Sequence, residues 1–311
     1  MTATSRVLVT RRLPSKVVAR LEARHEVDRH DGESLPAEEL RAHVRDKQAI
    51  VCVLTDRIDG AVIDAAPELK IVANVAVGYD NVDVAHAKRR GVIVTNTPDV
   101  LTNAVAEYTW GLILAIARRV TEGDRLIRRG GWKGFAFDFM LGTELHGKQL
   151  GILGMGRIGR AVAARAPAFG MSVVYHRGST PEARPVSFDE LLVTSDVISI
   201  HTLLTPETRH LIDQRALARM KRSAYLINTS RGPVVDEEAL AWGLRERLIA
   251  GAALDVFERE PEVHANLLDL DNVVLAPHLG SATRETRTAM ADLAVSNVLA
   301  VLDGGQPLTP V

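Results

Sequence analysis

Midway along the chain, residues 150–159 read LGILGMGRIG, an apolar run that empties into three glycines, Gly154, Gly156 and Gly159. What flanks them fixes the local fold. Residues 148–153 have the β-branched, apolar character of a strand, 157–169 are good helix formers, and MSVVY at 171–175 supplies the next strand of a βαβ unit. The first turn of such a helix carries N–H groups without intrahelical partners and the positive end of the macrodipole, a seat for a pyrophosphate. Gly154 permits the tight turn, Gly156 lets phosphates approach the backbone, and Gly159 lets helix and strand pack closely. The decapeptide therefore predicts a bound dinucleotide.

Short β-branched runs alternate with helical patterns along nearly the whole chain. Strands are expected at 6–10, 49–55, 70–76 and 92–95, and again at 150–153, 172–175, 197–200, 224–228, 251–254 and 273–276. Helices between them imply right-handed crossovers and parallel sheets covered on both faces, an α/β fold. A chain of 311 residues accommodates two domains. Because half of it precedes the glycines, a smaller α/β domain is expected at 1–99 and a nucleotide-binding domain of Rossmann type at 100–282. Long helices at about 103–119 and 283–303 flank the latter and could act as a hinge. Residues 130–147 are rich in glycine and aromatics (Trp132, Phe135, Phe137, Phe139), which suggests an arm covered by a second subunit.

Thirty-eight basic and 39 acidic residues leave a net charge of −1, so no overall field favours nucleic acid or an anionic membrane. No run approaches the ~20 apolar residues of a bilayer span. RVLV near the N-terminus is too brief for a signal core, and the single cysteine, Cys52, reads as a small core hydrophobe. A cytoplasmic protein is expected. No histidine spacing supports a metal site.

The end of the second nucleotide-domain strand bears on the cofactor. NAD sites place an acid there, about 20 residues beyond the glycines, to bind the ribose hydroxyls. Here Tyr175 is followed by His176, Arg177, Gly178 and Ser179. A guanidinium offers a 2′-phosphate a fork of donors, so NADP(H) is the expected cofactor and NAD(H) the alternative.

Three charged residues follow later strands: Arg231 in NTSRGPVVD, Glu260 in LDVFEREP and His278 in APHLGSAT. Open α/β sheets bind ligands in the crevice outside the carboxyl ends of their strands. These types suit reduction of a 2-oxo acid by hydride transfer. Arginine grips the carboxylate, histidine protonates the carbonyl oxygen, and glutamate holds the imidazolium ready.

In LGILGMGRIG, LINTSRGPVVDEEAL, AALDVFEREP and VVLAPHLGSAT, in order and spacing, the chain resembles the D-isomer-specific 2-hydroxyacid dehydrogenase family over nearly its whole length. The ending HLGSATRETRTAM and the missing acid are most similar to its NADPH-dependent glyoxylate and hydroxypyruvate reductases. The resemblance implies that Arg231, Glu260 and His278 are catalytic. It also implies that the first domain is flavodoxin-like and completed by 283–311, and that the protein is a homodimer acting on a small 2-oxo or 2-hydroxy acid. Further positions follow from it. Val77 and Gly78, in VANVAVGYDNVD, match a loop whose amides hold the substrate carboxylate, with Arg231 and His278. Met155, Arg157 and Ile158 match the turn beside the pyrophosphate, and His176, Arg177 and Ser179 the adenosine ribose. Thr202, Thr208, Thr229, Ser230, Arg231, Asp255, His278 and Gly280 line the rest of the cofactor path, with Asp255 at the carboxamide. One departure is HTLLT at 201–205, where the family often has His-x-Pro-Leu-Thr; His201 reads as structural. The alternatives are a bulkier 2-oxo acid substrate and a non-catalytic NAD(P)-sensing protein.

Overall fold

In a computed structural model that describes residues 4–311, the chain forms two compact units, Met1–Leu101 with Thr283–Val311, and Thr102–Ala282. Each is an α/β sandwich.

The first unit contains strands β1 (Arg6–Val9), β2 (Glu26–Arg29), β3 (Ala49–Cys52), β4 (Ile71–Asn74) and β5 (Ile93–Thr95), in the order β2-β1-β3-β4-β5. Every pairing is parallel. Since both faces of the sheet are covered, β3 and β4 are buried at every position, and Leu8, Ile50, Val72 and Val94 share one core. The expected strand at 49–55 stops at Cys52 because the Val53 amide turns to the Asp56 carboxylate (3.0 Å). Strand β2, EVDR, was not expected: an edge strand with an exposed, polar pattern carries no apolar signal. The helix Arg284–Leu302 starts on the Thr283 hydroxyl, which accepts from the Thr286 amide. Its buried Asn297 accepts from the Leu308 and Thr309 amides, and the tail then runs beside β5.

The second unit contains β6 (Gln149–Met155), β7 (Ser172–Gly178), β8 (Arg184–Pro185), β9 (Val197–Ile200), β10 (Tyr225–Asn228), β11 (Gly251–Leu254) and β12 (Val273–Leu275). Their order is β12-β11-β10-β9-β6-β7-β8, all parallel. From β6 the chain builds outward one way to β7 and then returns to β9, so the switch point lies between β6 and β9. Neighbouring residues feed opposite cores. Ile198 and Leu226 pack on one face, Val197, Tyr225 and Ile227 on the other with the helix Thr102–Ala117. On that helix Trp110 stacks on Phe169 (centroids 4.3 Å apart) and donates to the Val162 carbonyl at 3.0 Å.

The helix expected at 157–169 is interrupted. It runs over Arg157–Ala163, and a separate 3-10 turn follows at Ala166–Phe169, with Pro167 in its first positions and Gly170 closing it in the left-handed region (φ +65°). Proline lacks the N–H a continuous helix would use there. Residues 130–141 form no strand or helix and leave their aromatics in solvent, Phe135 at 89% and Phe137 at 91% exposure. Among the described residues, no helix is long and apolar enough to cross a membrane.

Candidate active site

The glycine turn is a backbone device, and each glycine meets a different constraint. Gly154, at φ +103°, lies so close to the chain after β9 that a Cβ would come within 2.7 Å of the His201 carbonyl. Gly156, the residue before the helix Arg157–Ala163, faces open space: a Cβ there would meet nothing within 4 Å, and no side chain caps the helix. A side chain at Gly159 would overlap the Gly154 carbonyl oxygen. The turn thus leaves room at Gly156 for a phosphate to approach the backbone, which fits a dinucleotide. Met155 is buried at the end of β6, while Arg157 is exposed and Ile158 half-buried on the first helical turn.

At the end of β7 the structure adds a residue that the sequence alone did not single out. Arg177 is exposed with a left-handed backbone (φ +64°), and His176 Nδ1 lies 3.0 Å from the Val186 carbonyl. Arg160, on the helix after the glycines, donates to the Ser179 carbonyl at 2.7 Å and so brings a second guanidinium to this corner. Its signal, an arginine one position past the third glycine, was present but pointed equally well to solvent.

His201 Nε2 lies 2.8 Å from the buried Ser199 hydroxyl, and packing around the ring pushes its pKa down to about 3. It is neutral and structural at ordinary pH. Thr202 follows it, half-buried. The buried Thr208 hydroxyl donates to the Leu203 carbonyl and accepts from the Thr205 amide, both at 2.7 Å, so it shapes its own loop.

Strand β10 ends on Asn228, fully buried, another residue that the reading passed over. Its side-chain oxygen accepts from the Ser230 amide (3.1 Å) and hydroxyl (3.0 Å), and its Nδ2 donates to the Arg231 carbonyl at 2.9 Å. Thr229 pairs with Thr109 through their hydroxyls (3.1 Å). The loop is thereby rigid where Arg231 leaves it. A buried polar residue closing an apolar strand was the available signal, and it recurs in β4. There Asn74 Nδ2 donates to the Gly78 carbonyl at 2.9 Å, and Asn96 donates to the Val77 carbonyl at 2.8 Å. The loop with Val77 and Gly78 is held in the first unit as firmly as the Arg231 loop is in the second.

Three neighbouring loops then meet. Asp255, buried after β11, accepts from the Leu279 amide (2.7 Å) and the Gly280 amide (2.8 Å), and its own carbonyl takes the His278 amide at 3.0 Å. Burial raises its pKa against the pull of those two amides. Asp255 therefore builds the turn on which His278 stands, at φ +53°. His278 Nδ1 lies 2.9 Å from Glu260 Oε2, and the other carboxylate oxygen accepts from the Phe257 amide at 3.0 Å. Burial pushes the Glu260 carboxyl up. The hydrogen bond and charge of His278, the Phe257 amide and the Arg231 charge outweigh it and hold the group below its ordinary value. An ionised carboxylate thus orients an imidazole, with a guanidinium near enough to act on the same carboxylate.

Residues 110–280 match the model of the D-isomer specific 2-hydroxyacid dehydrogenase, NAD binding domain. The chain belongs to the D-isomer-specific 2-hydroxyacid dehydrogenase family. It is 48% identical over 317 residues to a glyoxylate reductase of Thermofilum pendens, covering 98% of this chain and 94% of that protein. Among solved structures, a Thermus thermophilus protein superposes with a TM-score of 0.95 at 49% identity, covering 98% of this chain and 99% of the other. An NADPH-dependent glyoxylate/hydroxypyruvate reductase from Sinorhizobium meliloti, solved with NADP and malonate, has a TM-score of 0.90 at 38% identity, covering 99% and 97%. The chain is an oxidoreductase of this family and takes a nicotinamide cofactor. Among the described residues, no group of three or more His, Cys, Asp or Glu side chains is arranged to hold a metal ion.

Proposed function

We propose that the protein uses NADPH to reduce glyoxylate to the achiral 2-hydroxy acid glycolate, with hydroxypyruvate as a second substrate reduced to the D-2-hydroxy acid, and that Arg231, Glu260 and His278 are its catalytic residues. The pairing of His278 Nδ1 with an ionised Glu260 at 2.9 Å carries the reading. The names of the Thermofilum pendens and Sinorhizobium meliloti proteins support the substrate class.

When bound, the reduced nicotinamide supplies the hydride that reaches the carbonyl carbon. Gly154, Met155, Gly156, Arg157 and Ile158 would hold its pyrophosphate, Arg177 with His176 and Ser179 its ribose 2′-phosphate, and Thr202, Thr208, Thr229, Ser230 and Gly280 the remaining path, with Asp255 at the carboxamide. The absence of an acid after Tyr175 and the second cation, Arg160, support NADPH over NADH.

The other steps belong to the chain itself. Arg231 binds the substrate carboxylate through two parallel N–H bonds. Glu260 accepts the Nδ1 proton of His278, which fixes the ring and leaves Nε2 to pass its proton to the carbonyl oxygen. The arginine also draws electron density from that carbonyl, easing attack at carbon. The exposed aromatics of 130–141 support a homodimer that covers them.

The test is consumption of NADPH and NADH with a panel of 2-oxo acids. Faster turnover of glyoxylate with NADPH is expected. Preference for a bulky 2-oxo acid, or for NADH, overturns the corresponding part. Sedimentation of Phe135→Asp and Phe137→Asp variants, expected to be monomeric, tests the dimer.

A further inference from the structure

Catalysis as proposed needs the loop after β10, which bears Arg231, to keep a fixed distance from the loop after β11, which bears Glu260. Two glutamates outside the catalytic set join these loops. The Glu258 amide donates to Glu237 Oε1 at 2.6 Å, and the Glu237 amide donates to Glu258 Oε1 at 3.1 Å. Each carboxylate therefore takes the other residue's backbone N–H, a reciprocal clasp six residues beyond Arg231 and two before Glu260. Between clasp and site the two backbones touch. A side chain at Gly232 would overlap the Phe257 carbonyl, and Phe257 in turn gives its amide to Glu260.

The clasp is anchored from a third loop. Glu258 Oε2 lies 3.0 Å from His210 Nε2 and 3.7 Å from Arg209 Nη2, and His210 Nδ1 lies 3.9 Å from Asp236 Oδ2. Asp236 also accepts from the Ala239 amide at 2.9 Å, capping the helix Glu237–Arg245. Glu237 is buried, and burial raises its pKa against the pull of the Glu258 amide, with the Glu258 charge adding to the rise and the His264 amide opposing it. Two acids side by side are an unfavourable way to fill space, since an apolar pair avoids both desolvation and like-charge repulsion. What carboxylates supply and apolar groups do not is direction: acceptor oxygens aimed at specific donors, as Glu237 Oε1 and both oxygens of Glu258 are here.

We propose that Glu237 and Glu258, braced by His210, are positioning residues that lock the Arg231 loop to the Glu260 loop, so that Arg231 and the Glu260–His278 pair engage one substrate together. The proposal rests on the oxo-acid reductase reading for its consequence and on the hydrogen-bonded clasp for its existence, and the two are tested separately. Glu258→Ala, Glu258→Gln and His210→Phe are made in the full chain. Hydrogen exchange is followed at 228–237 and 255–262 with 150–159 as reference, together with NADPH affinity by fluorescence and kcat and KM for glyoxylate.

Glu258→Ala is expected to exchange about tenfold faster at both loops, with KM up about tenfold, kcat reduced, NADPH affinity lowered by clearly less than KM rises, and exchange at 150–159 unchanged within about twofold. Glu258→Gln keeps an oxygen for the Glu237 amide and is expected to restore both loops and KM. His210→Phe loosens the same two segments by less and stands in for Glu258→Ala should that variant not fold. Wild-type exchange in Glu258→Ala, a parallel loss of NADPH affinity, or a glutamine variant as impaired as alanine overturns the proposal. A wild-type protein that reduces no 2-oxo acid overturns the reading of the reaction, and exchange at the two loops then decides the clasp alone.

Discussion

The glycine turn at Gly154–Gly159 and the loops bearing Arg231, Glu260 and His278 occupy carboxyl ends of the same sheet but are built from opposite materials. The turn works through missing side chains: close approaches at Gly154 and Gly159, and open space at Gly156. The loops work through side chains tied to backbone, with Asn228, Asp255 and Glu260 each accepting amides from residues they support. A ligand recognised by its phosphates needs only exposed N–H groups, and a short motif is sufficient. Proton transfer needs one imidazole nitrogen held in a particular place, and three separate loops cooperate to hold it.

Substitutions can separate the two regions. The largest effect is expected from Gly159→Ala, whose methyl group meets a carbonyl oxygen that cannot retreat without moving β6. Cofactor binding and fold stability should fall together, whereas Gly156→Ala should keep its melting temperature and weaken only the cofactor; fluorescence titration and thermal unfolding read the two. Next, His278→Ala should lower turnover by about 10²–10⁴-fold with cofactor affinity reduced far less, measured by steady-state kinetics beside the same titration. A comparable loss of affinity would mean that the two regions are not separable. Arg177→Asp should act on the turn's side alone, moving the ratio of NADPH to NADH efficiency toward NADH by about tenfold or more.

The smallest effect concerns acid. Because the folded state holds Glu260 below its ordinary carboxylate value, its contribution is fully present above that value and is lost as pH falls through the depressed one. Wild type should therefore melt about 2–4 °C above Glu260→Gln near neutrality, with the gap closing in acid; calorimetry across pH checks it.

How much of this was legible in the sequence follows the same division. The glycines, the apolar strands and the helix Arg284–Leu302 announce themselves through spacing and periodicity, which are local properties. Strands β2 and β8 did not, because an edge strand with polar residues is defined by a single neighbour rather than by its own pattern. The break after Ala163 was hidden by good helix formers on both sides of Pro167. In the loops, residue type and position after a strand singled out Arg231, Glu260 and His278. Asn228 and Arg160 were ambiguous, since a polar residue ending a strand and an arginine on a first helical turn read equally well as solvated, and Glu237 was silent, since its meaning lies in a partner loop that sequence order does not reveal.

The asparagines that close β4 and β10 carry one more consequence. Each reaches three or four positions ahead to fasten a carbonyl of the loop it precedes, Gly78 in one unit and Arg231 in the other. A loop moored this way at its far end borrows the stiffness of the sheet, so an exposed residue just past the mooring can vary without the bend being lost. Tyr79, exposed just past the first mooring, is thus a position that can change while the scaffold stays as it is.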